Sequence, residues 1–196
     1  MRLSYTADPP AFEDPADAAV ANRVAARRAP FPLLELDLAL LHSPPVADGW
    51  NSFFGALRSQ TSTITADLRE LAISRVAVIN QAWYEWGQHA PLATAAGVSD
   101  ASLAVLLRET PFALSDTTVV DAGLLTALQW AALVYTDEMT RNVAVADATF
   151  AHLQTLLNER QIVELTAVIA GYNCVSRFLV ALDVGERNGT GPDKGH

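Results

Sequence analysis

Glu85 and His89 are four residues apart, so on a helix both project from one face. Glu70 precedes His89 by nineteen residues, and on one unbroken helix the two would stand ~28 Å apart. A reversal near Asn80 to Ala82 changes that geometry. Glu70 then lies about ten residues before the turn and His89 about seven after it, a difference of little more than one helical turn. One imidazole and two carboxylates brought together can move a proton or, as a facial set, ligate a metal ion. The start of the second helix also presents the positive end of its dipole, which favours an anion. Against the metal, the sequence has no HExxH pattern and no second histidine at matching spacing.

These residues need helices to position them, and the pattern supplies them. Apolar residues recur at helical spacing, and no Val/Ile/Thr-rich run alternates with period two, so the expected fold is all-α with about eight helices. The expected helices are Pro15 to Arg28, Leu33 to Leu41, Val46 to Leu57, one capped by Thr65, Ala82 to Gly97, Asp100 to Arg108 capped by Ser99, one long helix Val119 to Met139, one capped by Asp147, and Glu159 to Leu182. Residues 1–14 read as an extended lead-in, and residues 186–196, polar and rich in glycine, as a disordered tail. At 196 residues the expectation is a single domain over 1–185.

Composition narrows the partners. Thirteen Lys and Arg against 22 Asp and Glu give a net charge of −9, and Arg27-Arg28 is an isolated basic doublet. No nucleic acid and no membrane surface are therefore expected as partners. The one cysteine, Cys174, excludes an intrachain disulfide and a CxxC pair, and reads as a small buried hydrophobe. The N-terminal residues contain no apolar signal core, which leads to the expectation of a cytoplasmic protein. The apolar stretch Leu165 to Val184 is interrupted by Asn173, Ser176, Arg177 and Asp183, and reads as a core helix.

The order E-L-A-I-x-R-V-A from Glu70, then N-x-x-Y-E-W-x-x-H ending at His89, then A-x-x-A-G-V-S, resembles the carboxymuconolactone decarboxylase family, which includes the alkylhydroperoxidase D-like proteins. The stretch from Gly171-Tyr-Asn to Val184 is similar to the C-terminal part of many members, so the resemblance runs over roughly residues 30–185. It implies an alkylhydroperoxidase D-like helical domain that assembles as a homo-oligomer. The peroxidase branch of that family needs Glu, eleven residues, Cys, two, Cys, three, His. Here the Glu and His positions are filled by Glu70 and His89, but the cysteine positions fall on Ala82 and Glu85. A peroxidase of that type is therefore rejected, because both thiols are needed to form the disulfide.

The decarboxylase branch lacks the cysteines and needs no cofactor. The resemblance thus implies a cofactor-free lyase that releases CO2 from a small carboxylated lactone or a related intermediate of aromatic catabolism. Such a site needs an acid to protonate the enolate and cations to hold carboxylates. His89 or Glu70 is the expected acid, with Glu85 beside them and Tyr84 donating to the enolate. Arg75 and Arg177 are the candidates to grip a carboxylate, and Trp83 and Trp86 to line the substrate. Each has a plainer alternative: a structural histidine, helix-supporting Glu residues, an aromatic packing cluster, and Asn173 as the partner of Arg177. A metal-dependent enzyme and a non-catalytic ligand-binding or assembly protein are the rival functions.

Overall fold

The computed structural model describes residues 1–59 and 62–193. The last three residues of the expected tail lie outside them. The described residues form ten α-helices and one short 3-10 helix, with no strand among them, so the all-α expectation holds. The chain clusters into two compact units, one of residues 1–62 with 181–187 and the other of 63–180 with 188–196.

The first unit holds α1 (Pro15–Arg28), α2 (Glu35–Leu40) and α3 (Pro44–Leu57). Asp14 caps α1 by accepting from the Ala16 amide at 2.8 Å, and Pro15 stands at its first position. Arg28 closes the unit with two bonds to buried Asp37, at 2.6 and 2.9 Å. That fork-to-carboxylate geometry fixes two short elements that have little core of their own.

The second unit carries the residues of interest on α4 (Ala66–Ile79), α5 (Trp83–Ala95), α6 (Asp100–Leu106), α7 (Thr118–Asp121), α8 (Ala127–Asn142), α9 (Asp147–Gln154) and most of α10 (Glu159–Leu182). Every residue of α4 from Glu70 to Ala77 is buried, which marks it as the central helix, enclosed on all sides. Its neighbour α5 follows after a three-residue reversal, where Gln81 adopts a left-handed φ of 53° and the Ala82 amide bonds Ala77 O at 2.8 Å. Leu71, Trp86, Ala93, Leu106, Phe112, Trp130 and Leu133 form one continuous apolar cluster.

One expected helix is two. The stretch Val119 to Met139 breaks because Gly123, at φ 68°, ends α7 in the left-handed conformation. Thr126 then starts α8 with a capping box: its hydroxyl accepts from the Gln129 amide at 3.2 Å and its own amide donates to Gln129 Oε1 at 2.9 Å. Leu125, Ala132 and Tyr135 of this stretch are nonetheless buried. Cys174 is corrected as well: it lies on the exposed face of α10, with Ala170 and Arg177. That helix is long and apolar enough to cross a membrane by length and composition. One of its faces, through Leu165, Ile169, Tyr172 and Leu179, is buried in the protein.

Candidate active site

The α4–α5 reversal does what the spacing required. Nδ1 of His89 lies 2.7 Å from Oε2 of Glu70, with Glu70 buried and the His89 side chain 12% exposed. Oε1 of the same carboxylate accepts from Nε of Arg69 at 3.2 Å. Glu70 is thus held between a guanidinium and an imidazole, in a buried setting where opposite charges attract more strongly than in water. Tyr172 of α10 meets the His89 ring edge-on, with centroids 4.9 Å apart and planes at 83°. The ring is therefore oriented from two helices.

One turn closer to the reversal, Glu85 behaves differently. It is buried, and Oε2 accepts from the Ser176 hydroxyl at 2.8 Å. Oε1 has no hydrogen-bond partner among the described residues, and neither has the buried hydroxyl of Ser74. The register set by Glu70 and His89 puts Ser74 and Glu85 at matching heights on the two helices, four residues further in on each. Burial pushes the Glu85 carboxyl well above its ordinary range, and the Ser176 bond offsets this only in part. Burial thus favours the protonated form of Glu85. Tyr172 and Ser176, four apart on α10, face His89 and Glu85 respectively, and neither was singled out from sequence. The signal in the sequence is the Gly171-Tyr-Asn motif, which contains Tyr172.

The other expected residues are placed elsewhere. Arg75 is wholly buried, and all five of its donors are engaged. Nε and Nη2 bond Asp137 at 2.6 and 3.1 Å, and the rest go to the carbonyls of Leu106, Arg108 and Thr110. Its guanidinium carbon stands 3.8 Å from the centre of the Phe112 ring. No donor is left for a substrate carboxylate, so Arg75 holds the 106–112 loop instead. Arg177 is exposed, and its Nη1 donates to Asn173 O at 2.9 Å and Oδ1 at 2.7 Å. Trp86 is buried in the apolar cluster. Tyr84 is buried on α5, five residues before His89 and so about 140° around the helix from it. That placement turns it away from the His89 face of α5. Trp83 is half-buried and lines a separate cleft with Arg108 and Arg141. Among the described residues, no three His, Cys, Asp or Glu side chains gather closely enough to hold a metal.

The described structure is the helical fold of the alkylhydroperoxidase D-like proteins. It superimposes with a TM-score of 0.70 on an uncharacterized peroxidase-related protein from Silicibacter sp. TM1040, at 17% identity over 95% of this chain and 98% of that one. A peroxidase-related protein with an alkylhydroperoxidase AhpD core from Ralstonia eutropha JMP134 gives 0.69 at 16% identity, covering 90% and 93%. The debrominase Bmp8, as a Cys-to-Ala variant with 2,3,4-tribromopyrrole, gives 0.63 at 17% identity, covering 87% and 83%. No curated protein matches the chain. Residues 44–133, which include Glu70, Glu85 and His89, match the model of the carboxymuconolactone decarboxylase family.

Proposed function

We propose that the protein is a cofactor-independent lyase of the carboxymuconolactone decarboxylase type, acting on a small carboxylated lactone. The observation that carries this reading is the 2.7 Å pairing of His89 Nδ1 with buried Glu70. The carboxylate fixes the ring tautomer and stabilises the imidazolium, and the other ring nitrogen, Nε2, exchanges protons with the substrate. In the reaction the C–C bond to the departing carboxylate breaks. CO2 leaves, and the electron pair passes into the conjugated lactone as an enolate. His89 then delivers one proton to carbon and is reprotonated from solvent. Arg69, on the far oxygen of Glu70, leaves the three groups with a net positive charge when His89 is protonated, which suits an anionic substrate. Burial favours the protonated form of Glu85, which keeps negative charge out of a site receiving an anion.

The test is turnover of carboxymuconolactone followed by ultraviolet absorbance, with released CO2 trapped, for wild type, His89→Gln and Glu70→Gln. Loss of both signals in His89→Gln supports the reading. Absence of turnover by folded wild type discards this substrate class. A cytoplasmic homo-oligomer remains part of the proposal. Phe53, 46% exposed on α3, is a candidate contact, and sedimentation velocity reads the assembly.

A further inference from the structure

We propose a second ligand site in this protein, a cleft that takes a small aromatic monocarboxylate. The cleft has a volume of about 470 Å³, lies within the second unit, and is lined by none of Glu70, Glu85 and His89. That volume suits a single-ring molecule.

Its charged lining is built from beneath. Arg75 ties down the carbonyls of Leu106, Arg108 and Thr110, while its ion-pair partner Asp137 accepts from the Phe112 amide at 2.9 Å. The same Asp137 accepts from Nε of Arg141 at 3.2 Å, and Nη2 of Arg141 donates to Glu109 O at 2.9 Å. One buried ion pair thus braces both the loop carrying Arg108 and the side chain of Arg141. The Arg108 guanidinium is itself exposed, and its ion contact is Asp116 at 3.8 Å, beyond hydrogen-bond reach. Two planar guanidinium groups beside one cleft are an exception in a chain of net charge −9, and their fork geometry matches a carboxylate.

The remaining wall selects the ring. Val78, Leu107 and Trp83 are partly buried and pack on the apolar cluster, while also lining the cleft. Trp83 supplies a flat aromatic surface for offset stacking. Gln81 turns the backbone there at φ 53°, a left-handed conformation that costs energy for a residue with a side chain and that recurs at ligand clamps. Glu109 lines the cleft too. With Glu109 in the lining and Asp116 and Asp137 beside the two guanidinium groups, the cleft holds too little positive charge for a polyanion, which favours a monocarboxylate.

The experiment is calorimetric titration of the full chain with benzoate, and with benzamide as its neutral counterpart. The expected result is saturable benzoate binding that weakens about tenfold or more in Arg108→Ala, is unchanged in His89→Gln, and is absent for benzamide. A parallel nitrogen-15 spectrum of wild type is expected to shift the Trp83 indole signal on benzoate addition, a readout that needs no variant to fold. No saturable binding, equal binding of benzamide, insensitivity to Arg108→Ala or a still Trp83 signal each overturns the site. Benzoate binding abolished by His89→Gln overturns it too, by moving the ligand to the Glu70–His89 site. The lyase reading is scored on CO2 release, so either proposal can fail while the other stands.

Discussion

Glu70 and His89, nineteen residues apart in the chain, meet at 2.7 Å because α4 and α5 are joined by a three-residue reversal. The pair joins a buried carboxylate to a partly exposed ring, an arrangement able to pass a proton to a bound molecule. His89→Gln keeps a polar side chain but removes the titrating nitrogen. We expect kcat to fall by about 10²–10⁴, with a smaller fall for Glu70→Gln, measured on carboxymuconolactone with KM little changed. A variant at His89 with wild-type kcat would remove it from the chemistry.

Glu85 gives a stability test with a defined sign. Its folded carboxyl titrates well above its ordinary value of 4.5, so between the two the native state keeps a proton that the unfolded chain has lost. The unfolded state then binds fewer protons, and stability falls as pH rises through that window. The contribution is fully present below about 4.5 and declines toward the raised folded value. Glu85→Gln has no such titration. Its Tm relative to wild type should therefore climb as pH rises above about 4.5, and a gap independent of pH would refute the raised Glu85 carboxyl.

Arg75 and Asp137 form a wholly buried ion pair at 2.6 Å, with Arg141 and the Phe112 amide on the same carboxylate. Removing one partner leaves a buried charge without its counter-ion. Arg75→Met should cost about 3–5 kcal/mol in urea unfolding, and the double variant Arg75→Met/Asp137→Leu should recover part of the loss. Equal loss in single and double variants would assign the cost to packing instead of charge.

Two left-handed positions make opposite forecasts. Gly123, at φ 68°, has open space around the position a Cβ would take, so Gly123→Ala tests backbone conformation alone. It should destabilise by about 1 kcal/mol. Gln81, at φ 53°, carries the strain that glycine avoids, so Gln81→Gly should be neutral to stabilising by about 1 kcal/mol. Urea midpoints read both, and a large loss at Gln81→Gly would mean its side chain holds the reversal.

Much of the fold and the central pair could be read from local pattern. Helix positions follow from caps and apolar period, so α1 and α10 begin and end where Pro15–Arg28 and Glu159–Leu182 were expected. The Glu70–His89 encounter follows from counting residues on either side of one turn. The break at Gly123 is also a local signal, a glycine inside the apolar stretch Val119 to Met139. What sequence could not supply is what each side chain faces after packing. Arg75, an apparent substrate ligand, lies among backbone carbonyls, and Cys174, an apparent core residue, faces solvent. Tyr172 and Ser176 reach His89 and Glu85 from a helix some ninety residues away (91 for Ser176 and Glu85), a relation with no local signature. Local propensity and periodicity are properties of neighbouring residues and survive in the one-dimensional string. Whether a charge meets a counter-ion, a carbonyl or a ligand depends on which distant helices share its layer, and only tertiary packing decides that.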